Sequence, residues 1–408
     1  MPRVMLLLPT ATYRARDFQD AAQALGADVV IGTERKLAIS AFARDLTLVV
    51  NLERPDEAAD VIATFAERAP LDAVVGVDDQ GVLAAAHAAR LLGLAHNSPA
   101  AVAATRDKAA LRRALGAAHV PQPRFLVAAP DDDVSALAGE IGFPCVLKPV
   151  SLAASRGVIR ADDPEEAEAA AARIRAILER AGADRLEPLL VESYLPGAEV
   201  AVEGLLRRGV LEVLAVFDKP DPLKGPYFEE TMFVTPSRLP AAVLEAVDDA
   251  TRLASAALGL TEGPIHAELR VTDGRVAVLE VAARSIGGLC SRSLRFGAGA
   301  TLEEVILRHA LNMPQDGAGR QPGASGVMMI PIPTRGVLRA VEGQDEARAV
   351  PGVTGMELTI APSRRVEPLP EGDRYLGFIF ARGGTPPEVE ETLRRAHAVL
   401  DVVIDPAP

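Results

Sequence analysis

Short apolar runs at 3–8, 28–31, 46–51 and 72–77 alternate with Ala-rich helical stretches such as 17–26 and 56–69. Strands alternating with helices predict a parallel, doubly wound α/β sheet. The loop after the first run, Pro9-Thr10-Ala11-Thr12-Tyr13, lacks the glycines of a GxGxxG turn, so the dinucleotide fingerprint is absent. Asp78-Asp79-Gln80-Gly81 follows the fourth run, where open α/β sheets place their ligands. A solvated loop explains those carboxylates equally well. A helix is predicted over 98–116, then an extended connector at Pro121 and Pro123. Strands at 124–128, 144–150 and 158–160 follow, with helices at 131–141 and 163–182. From 189 onward the pattern becomes strand-rich, with runs at 189–195, 199–204, 210–217, 230–234, 264–271 and 276–283 around a helix at 240–258. Alternation there predicts an antiparallel sheet. The Gly-, Pro- and Gln-containing stretch 314–325 reads as a linker, and 326–408 as an α+β tail.

The last two strands carry the densest chemistry. Asp273-Gly274 is a hairpin signal between Pro264–Val271 and Val276–Ala283, so Glu268 and Glu280 stand on adjacent antiparallel strands. Two carboxylates side by side in apolar sequence repel unless a cation holds them or one is protonated. Oxygen-only ligands of this kind suit Mg²⁺, which completes its shell with water and substrate phosphates. Arg284 adds a permanent planar cation, and Gly287-Gly288 lets backbone approach a ligand. His266 shares the face of Glu268. By itself a strand histidine is more often structural; beside two acids and an arginine it becomes a substrate contact. Lys148 lies in a short apolar strand before the loop Ser151–Gly157, a placement that recurs at nucleotide phosphates. Taken alone, Lys148 fits an edge-strand lysine better, and Lys108 a solvated helix lysine. Arg156 can face phosphate or solvent. Val191–Leu195 with Gly197 and Glu199 offers backbone groups for an adenine edge and a carboxylate for ribose, or simply strand, turn and exposed acids.

Composition narrows the partners. The 408 residues suffice for about two to four compact units. A formal charge of −13 argues against nucleic acid or an anionic membrane surface as partner, so a phosphate ligand must be met by locally placed cations and N–H groups. Cys145 and Cys290 form no metal-finger spacing and fit a reducing compartment. Val4–Leu8 is too short for a signal segment, and no run reaches the length of a membrane span; a soluble, cytoplasmic protein is expected.

Taken in order, Arg106-Asp107-Lys108, Val146–Pro149 with Ser155–Val158, Glu192–Leu195 with Glu199, Asp218-Lys219, His266-Ala267-Glu268 and Glu280–Arg284 resemble the ATP-grasp superfamily of carboxylate–amine ligases, over roughly residues 1–310. They look most like the bacilysin-type L-amino-acid ligases, which join amino acids into dipeptides. The resemblance implies a pre-ATP-grasp α/β domain at 1–105, a lid subdomain at 106–188, a large antiparallel subdomain at 189–315 and a C-terminal α+β extension at 326–408. It implies ATP with Mg²⁺ (Mn²⁺ as an alternative), small carboxylate and amine substrates, and an assembly that could be a homodimer. Lys108 and Lys148 would hold phosphates, aided by Ser155, Arg156 and Gly157. Ser193 and Leu195 would meet adenine through their backbones beside Glu192, and Glu199 would hold ribose. Glu268 and Glu280 would ligate metal. Arg284 and His266 would be catalytic, and Asp79, Lys219, Gly287 and Gly288 would face substrate. Ala282 stands where most of the superfamily has Asn two residues after the second metal Glu, as in the amino-acid ligases. Two alternatives stay open: a carboxyphosphate-forming or nucleotide-precursor ligase, and a non-catalytic nucleotide-binding regulator. Glu268, Glu280 and Arg284 together count against the regulator.

Overall fold

The computed structural model describes residues 1–10, 12–35, 47–315 and 319–406. Ala11, Leu46 and the middle of the 314–325 stretch lie outside the described residues. β1 (Arg3–Leu7), β2 (Asp28–Thr33), β3 (Thr47–Val49) and β4 (Ala73–Gly76) pair in parallel in the order β3-β2-β1-β4. α1 (Ala15–Ala24), α2 (Pro55–Ala66) and α3 (Asp79–Leu92) accompany them. Val4 and Leu6 pack in one apolar cluster with Phe18, while Met5 and Leu7 pack in another with Ile62, so both faces of β1 are covered.

The helix expected over 98–116 is two helices, α4 (Pro99–Arg106) and α5 (Lys108–Ala117). Asp107 interrupts them with an extended backbone, and its carboxylate caps α5 by accepting from the Ala110 N–H at 2.9 Å. β5 (Phe125–Ala128), β6 (Cys145–Pro149), β7 (Ile159–Ala161) and β8 (Leu189–Ser193) then form a small antiparallel sheet in the order β5-β8-β6-β7. α6 (Val134–Ile141) and α7 (Pro164–Arg180) share its apolar core. This corrects the boundary at 188: β8 belongs to the small sheet, and the chain crosses to the large one only after Ser193. Alternation specifies which face of a strand is buried, not which strand it pairs with.

β9 (Ala198–Arg207), β10 (Val210–Lys219), β11 (Met232–Thr235), α8 (Ala241–Ala257), β12 (Gly263–Thr272), β13 (Arg275–Ala282) and α9 (Leu302–Ala310) lead to β14 (Ala324–Ile330). β15 (Gly336–Glu342), α10 (Gln344–Ala349), β16 (Val353–Leu358), β17 (Arg365–Val366), β18 (Gly377–Gly383), α11 (Pro386–Ala398) and β19 (Asp401–Pro406) complete the chain. The large sheet runs β13-β12-β9-β10-β11-β14-β18-β16, and a small one β17-β15-β19. The region 326–408 is α+β as expected, and three of its strands extend the large sheet directly.

One face of β9 and β12 is apolar, with Val200, Val202, Ala267, Leu269 and Val271 in the same cluster as Val247 and Ala254 of α8. The opposite face carries charge at one end. Cross-strand pairing sets Glu280 opposite Glu268, Glu268 opposite Ala201, Arg270 opposite Glu199, and Glu199 opposite Lys219. Because side chains alternate, these acids and cations share a face. Segment 367–374 reaches back over the small sheet. Pro370 O accepts from the Gly157 N–H and Glu371 O from Arg156 Nε, both at 2.9 Å; the Glu371 carboxylate accepts from Arg173 Nε and Nη2 at 2.6 and 2.9 Å.

Candidate active site

The charged end of the large sheet, the loop after β6, the start of α3 and Tyr375 enclose a cavity of about 300 Å³. At its base lies Lys219, buried and donating to Glu199 at 2.6 Å, Glu268 at 3.1 Å and Glu230. Burial opposes its charge, but the three carboxylates hold its pKa well above the usual lysine range. The acids divide unevenly around it. Burial pushes Glu230 up to about 8, whereas Lys219 and His266 overcome burial and keep Glu268 well below the ordinary range. His266 Nδ1 lies 2.5 Å from Glu203 Oε1, and its Nε2 lies 3.5 Å from Glu268. Glu203 is itself fixed by accepting from the Ile286 N–H at 3.0 Å. Burial resists charge on His266, yet Glu203 and Glu268 lift its pKa to about 9.

Opposite the sheet, Lys108 donates to Leu152 O at 2.7 Å and sits 3.6 Å from Glu280. It thus ties the loop after β6 to the hairpin. Lys148 contacts Glu192 at 2.8 Å, whose other oxygen accepts from Arg112 Nε at 2.5 Å. Arg112 also donates to Val278 O at 3.2 Å and Leu279 O at 2.7 Å, anchoring α5 to β13. Burial would raise the Glu192 carboxyl, but Arg112 and Lys148 bring it down to about 2. Arg284 pairs with Asp79 at 2.8 Å. Burial again works against both charges; the pairing dominates, lowering Asp79 and raising Arg284.

The cavity gathers Asp79, Lys108, Lys148, Ser155, Glu192, Ser193, Leu195, Glu199, His266, Glu268, Glu280, Arg284, Gly287 and Gly288 from five stretches of the chain. Lys219 lies just beneath its lining residues, held by Glu199, Glu230 and Glu268. Three expectations shift. Arg156 bonds Glu371 O and lies 3.8 Å from Asp373, so it is engaged by the C-terminal segment. Gly157 lies behind the loop, in left-handed conformation, where a Cβ would come 3.1 Å from Pro149. Gly287 borders open space, but Gly288 is closed by Phe378, whose ring would lie 2.9 Å from an added Cβ. Ser193 already donates its N–H to Arg124 O at 2.9 Å, so that donor is taken. Sequence reasoning missed Glu230, Arg112, Glu203 and Tyr375. Only Glu203 carried a signal, two alternations beyond Glu199 on the same face.

Residues 141–293 match the family described as ATP-grasp domain, residues 18–96 the ATP-grasp N-terminal domain, and residues 328–405 the L-amino acid ligase C-terminal domain 2. Over residues 141–293 the chain is thus similar to ATP-grasp domains. Its fold class is therefore the expected one, with an ATP-grasp N-terminal unit, the ATP-grasp pair of sheets and a C-terminal extension. An uncharacterized protein, y4rH, of Sinorhizobium fredii is 27% identical over 74% of the chain and 61% of its own length. Alanine–anticapsin ligase of Bacillus subtilis is 27% identical over 62% of the chain and 56% of its own length. The chain thus spans little more than half the length of the curated relatives it matches. The ATP-grasp fold also matches the crystal structure of L-amino acid ligase from Bacillus licheniformis, with a TM-score of 0.83 at 24% identity and 99% coverage of both chains. No described helix is long and apolar enough to cross a membrane.

Proposed function

We propose that the protein is an ATP-dependent carboxylate–amine ligase whose acid and amine are both amino acids, giving a dipeptide. A carboxylate oxygen attacks the γ-phosphorus of ATP, forming an acyl phosphate and releasing ADP. The amine nitrogen then attacks the acyl carbon, phosphate leaves, and the amine's proton is lost as the amide forms. The observation that carries the proposal is the convergence in one cleft of the Glu268–Glu280 cross-strand pair, Lys108 and Lys148 from the facing elements, and the Arg284–Asp79 pair. The likeness to alanine–anticapsin ligase supports amino acids as substrates.

The donor set fits Mg²⁺. Glu268 and Glu280 offer oxygens only, and carboxylate oxygens of Glu199, Glu230 and Glu268 lie within 4.8 Å of one another. Mg²⁺, with Mn²⁺ as its substitute, supplies charge neutralisation at the triphosphate when bound. The protein's own work is positioning and charge, since phosphoryl transfer asks for little covalent help. Lys108 and Lys148 meet phosphate oxygens, Ser193 and Leu195 offer backbone groups to adenine, and Glu199 accepts from ribose hydroxyls. His266, oriented by Glu203, keeps a proton beside Glu268. Arg284, oriented by Asp79, meets negative charge at the acyl carbon.

Substrate labelled with ¹⁸O in its carboxylate tests the mechanism. Label should appear in inorganic phosphate with ADP as co-product, and mass spectrometry over an amino-acid panel should reveal new amides. AMP carrying the label would overturn the acyl-phosphate route, and strict bicarbonate dependence would overturn the amino-acid substrates.

A further inference from the structure

A second cavity of about 400 Å³ opens beside the first, between Pro9, Thr12 and Tyr13, the start of α3, the end of α4, the loop after β6 and Asp373-Arg374. Asp79, Lys108, Glu280 and Gly288 line both, so the two are chambers of one cleft divided at the proposed reaction centre. Their cations differ. Lys148 lines only the first chamber and Arg106 only the second.

The charges of the second chamber can be paired off in turn. Asp79 is held by Arg284 at 2.8 Å and Asp78 by Arg14 at 3.6 Å. Lys108 has Leu152 O and Glu280. Arg156 has Glu371 O and Asp373, and Arg374 has Asp373 at 3.5 Å. Arg106, half-buried in the last turn of α4, has neither a carboxylate within 4.0 Å nor a side-chain hydrogen bond among the described residues. Its charge still reaches the dividing wall, where it helps hold Asp79 ionised. A partly desolvated guanidinium with five unused donors has the geometry for a bidentate carboxylate.

We propose that the second chamber seats the amine substrate and that Arg106 binds a carboxylate on it, which makes the acceptor an α-amino acid rather than a simple amine. This rests on the ligase reading above. The nucleotide and the acid fill the first chamber, so the amine must reach the acyl carbon from the other side of the shared wall. Asp78, whose 3.6 Å pairing to Arg14 leaves its oxygens free to accept, lines the same chamber and faces the ammonium end.

The test offers each proteinogenic amino acid as acceptor beside its own carboxamide, and hydroxylamine as a bare amine. The parent enzyme should prefer the free acid, by kcat/KM, over the carboxamide. Arg106→Gln should lower that preference by about tenfold or more, the scale of one charged hydrogen bond, without raising the KM for ATP. Arg106→Lys, which keeps the charge and loses the fork, should retain part of the preference. An unchanged acid-to-amide ratio in Arg106→Gln overturns the subsite, as does a loss that appears in the KM for ATP instead. Hydroxamate formation by the parent enzyme separates the two readings. If hydroxamate forms and the ratio does not move, only the subsite falls; if no acid yields hydroxamate, the ligase reading falls and the subsite with it.

Discussion

Glu192 has almost no contact with water and still carries a charge, because Arg112 and Lys148 take both of its oxygens. Its folded pKa of about 2 lies below the ordinary 4.5, so the stabilisation is complete above pH 4.5 and is lost as pH falls toward 2. The span corresponds to about 3 kcal/mol. Glu192→Gln should flatten that acid limb and cost about 3–5 kcal/mol at pH 7, because Arg112 stays buried without its counter-ion. Urea unfolding at pH 7 and pH 3.5 measures both; parallel losses on acidification in parent and variant would contradict the assignment. Lys219 presents the opposite case, a buried cation that donates to three acids. Lys219→Met should lower the thermal midpoint, and Mg²⁺ should recover part of it by taking the vacated place among the carboxylates. A melting curve insensitive to Mg²⁺ would count against these oxygens as metal donors. In the sequence Lys219 entered only through the resemblance carried by Asp218-Lys219, and Glu230, its close partner, only as the first residue of the 230–234 run. It lies in an irregular segment that only the folded chain brings to the sheet.

At the scale of elements, the hairpin was legible because its turn chemistry is local. Asp273 and Gly274 both have positive φ, at 49° and 76°, as a two-residue hairpin turn demands, and Glu268 faces Glu280 as the spacing implied. The break between α4 and α5 was also written locally, in the capping side chain of Asp107, yet helical spacing ran straight through it. Sheet membership of β8 was not legible, since it depends on partners forty or more residues apart in sequence. Two glycines turn this contrast into a measurement. Gly274→Ala meets open space and should cost about 1 kcal/mol from left-handed strain alone. Gly197→Ala would set a Cβ 2.1 Å from Val271 O, where β9 begins to pair with β12, and should add about 1–3 kcal/mol of overpacking to similar strain. Equal melting temperatures for the two variants would show that the start of β9 yields more readily than its packing indicates.

Across the whole molecule, the small sheet is held through Arg112 and Lys108 to the hairpin, through segment 367–374 to the loop after β6 and to α7, and through the Arg160 N–H to Pro226 O beyond β10. The second attachment is more exposed and rests on Glu371. Glu371→Gln should speed amide exchange in residues 151–157 and leave β1 to β4 unaffected, as hydrogen-exchange mass spectrometry can resolve. Unaltered exchange in that loop would mean that the backbone contacts at Pro370 suffice. The α+β character of 326–408 could be read in advance, but its place could not, because the pairing of β14 with β11 joins residues about ninety apart. That seam has a hereditary side. Since β14 lies between β11 and β18, a recombination event that replaced the last quarter of the gene would have to supply a strand matched, residue by residue, to Met232–Thr235. Exchange of this region between related genes is thereby restricted to donors that already share the seam, so the two parts are expected to descend together.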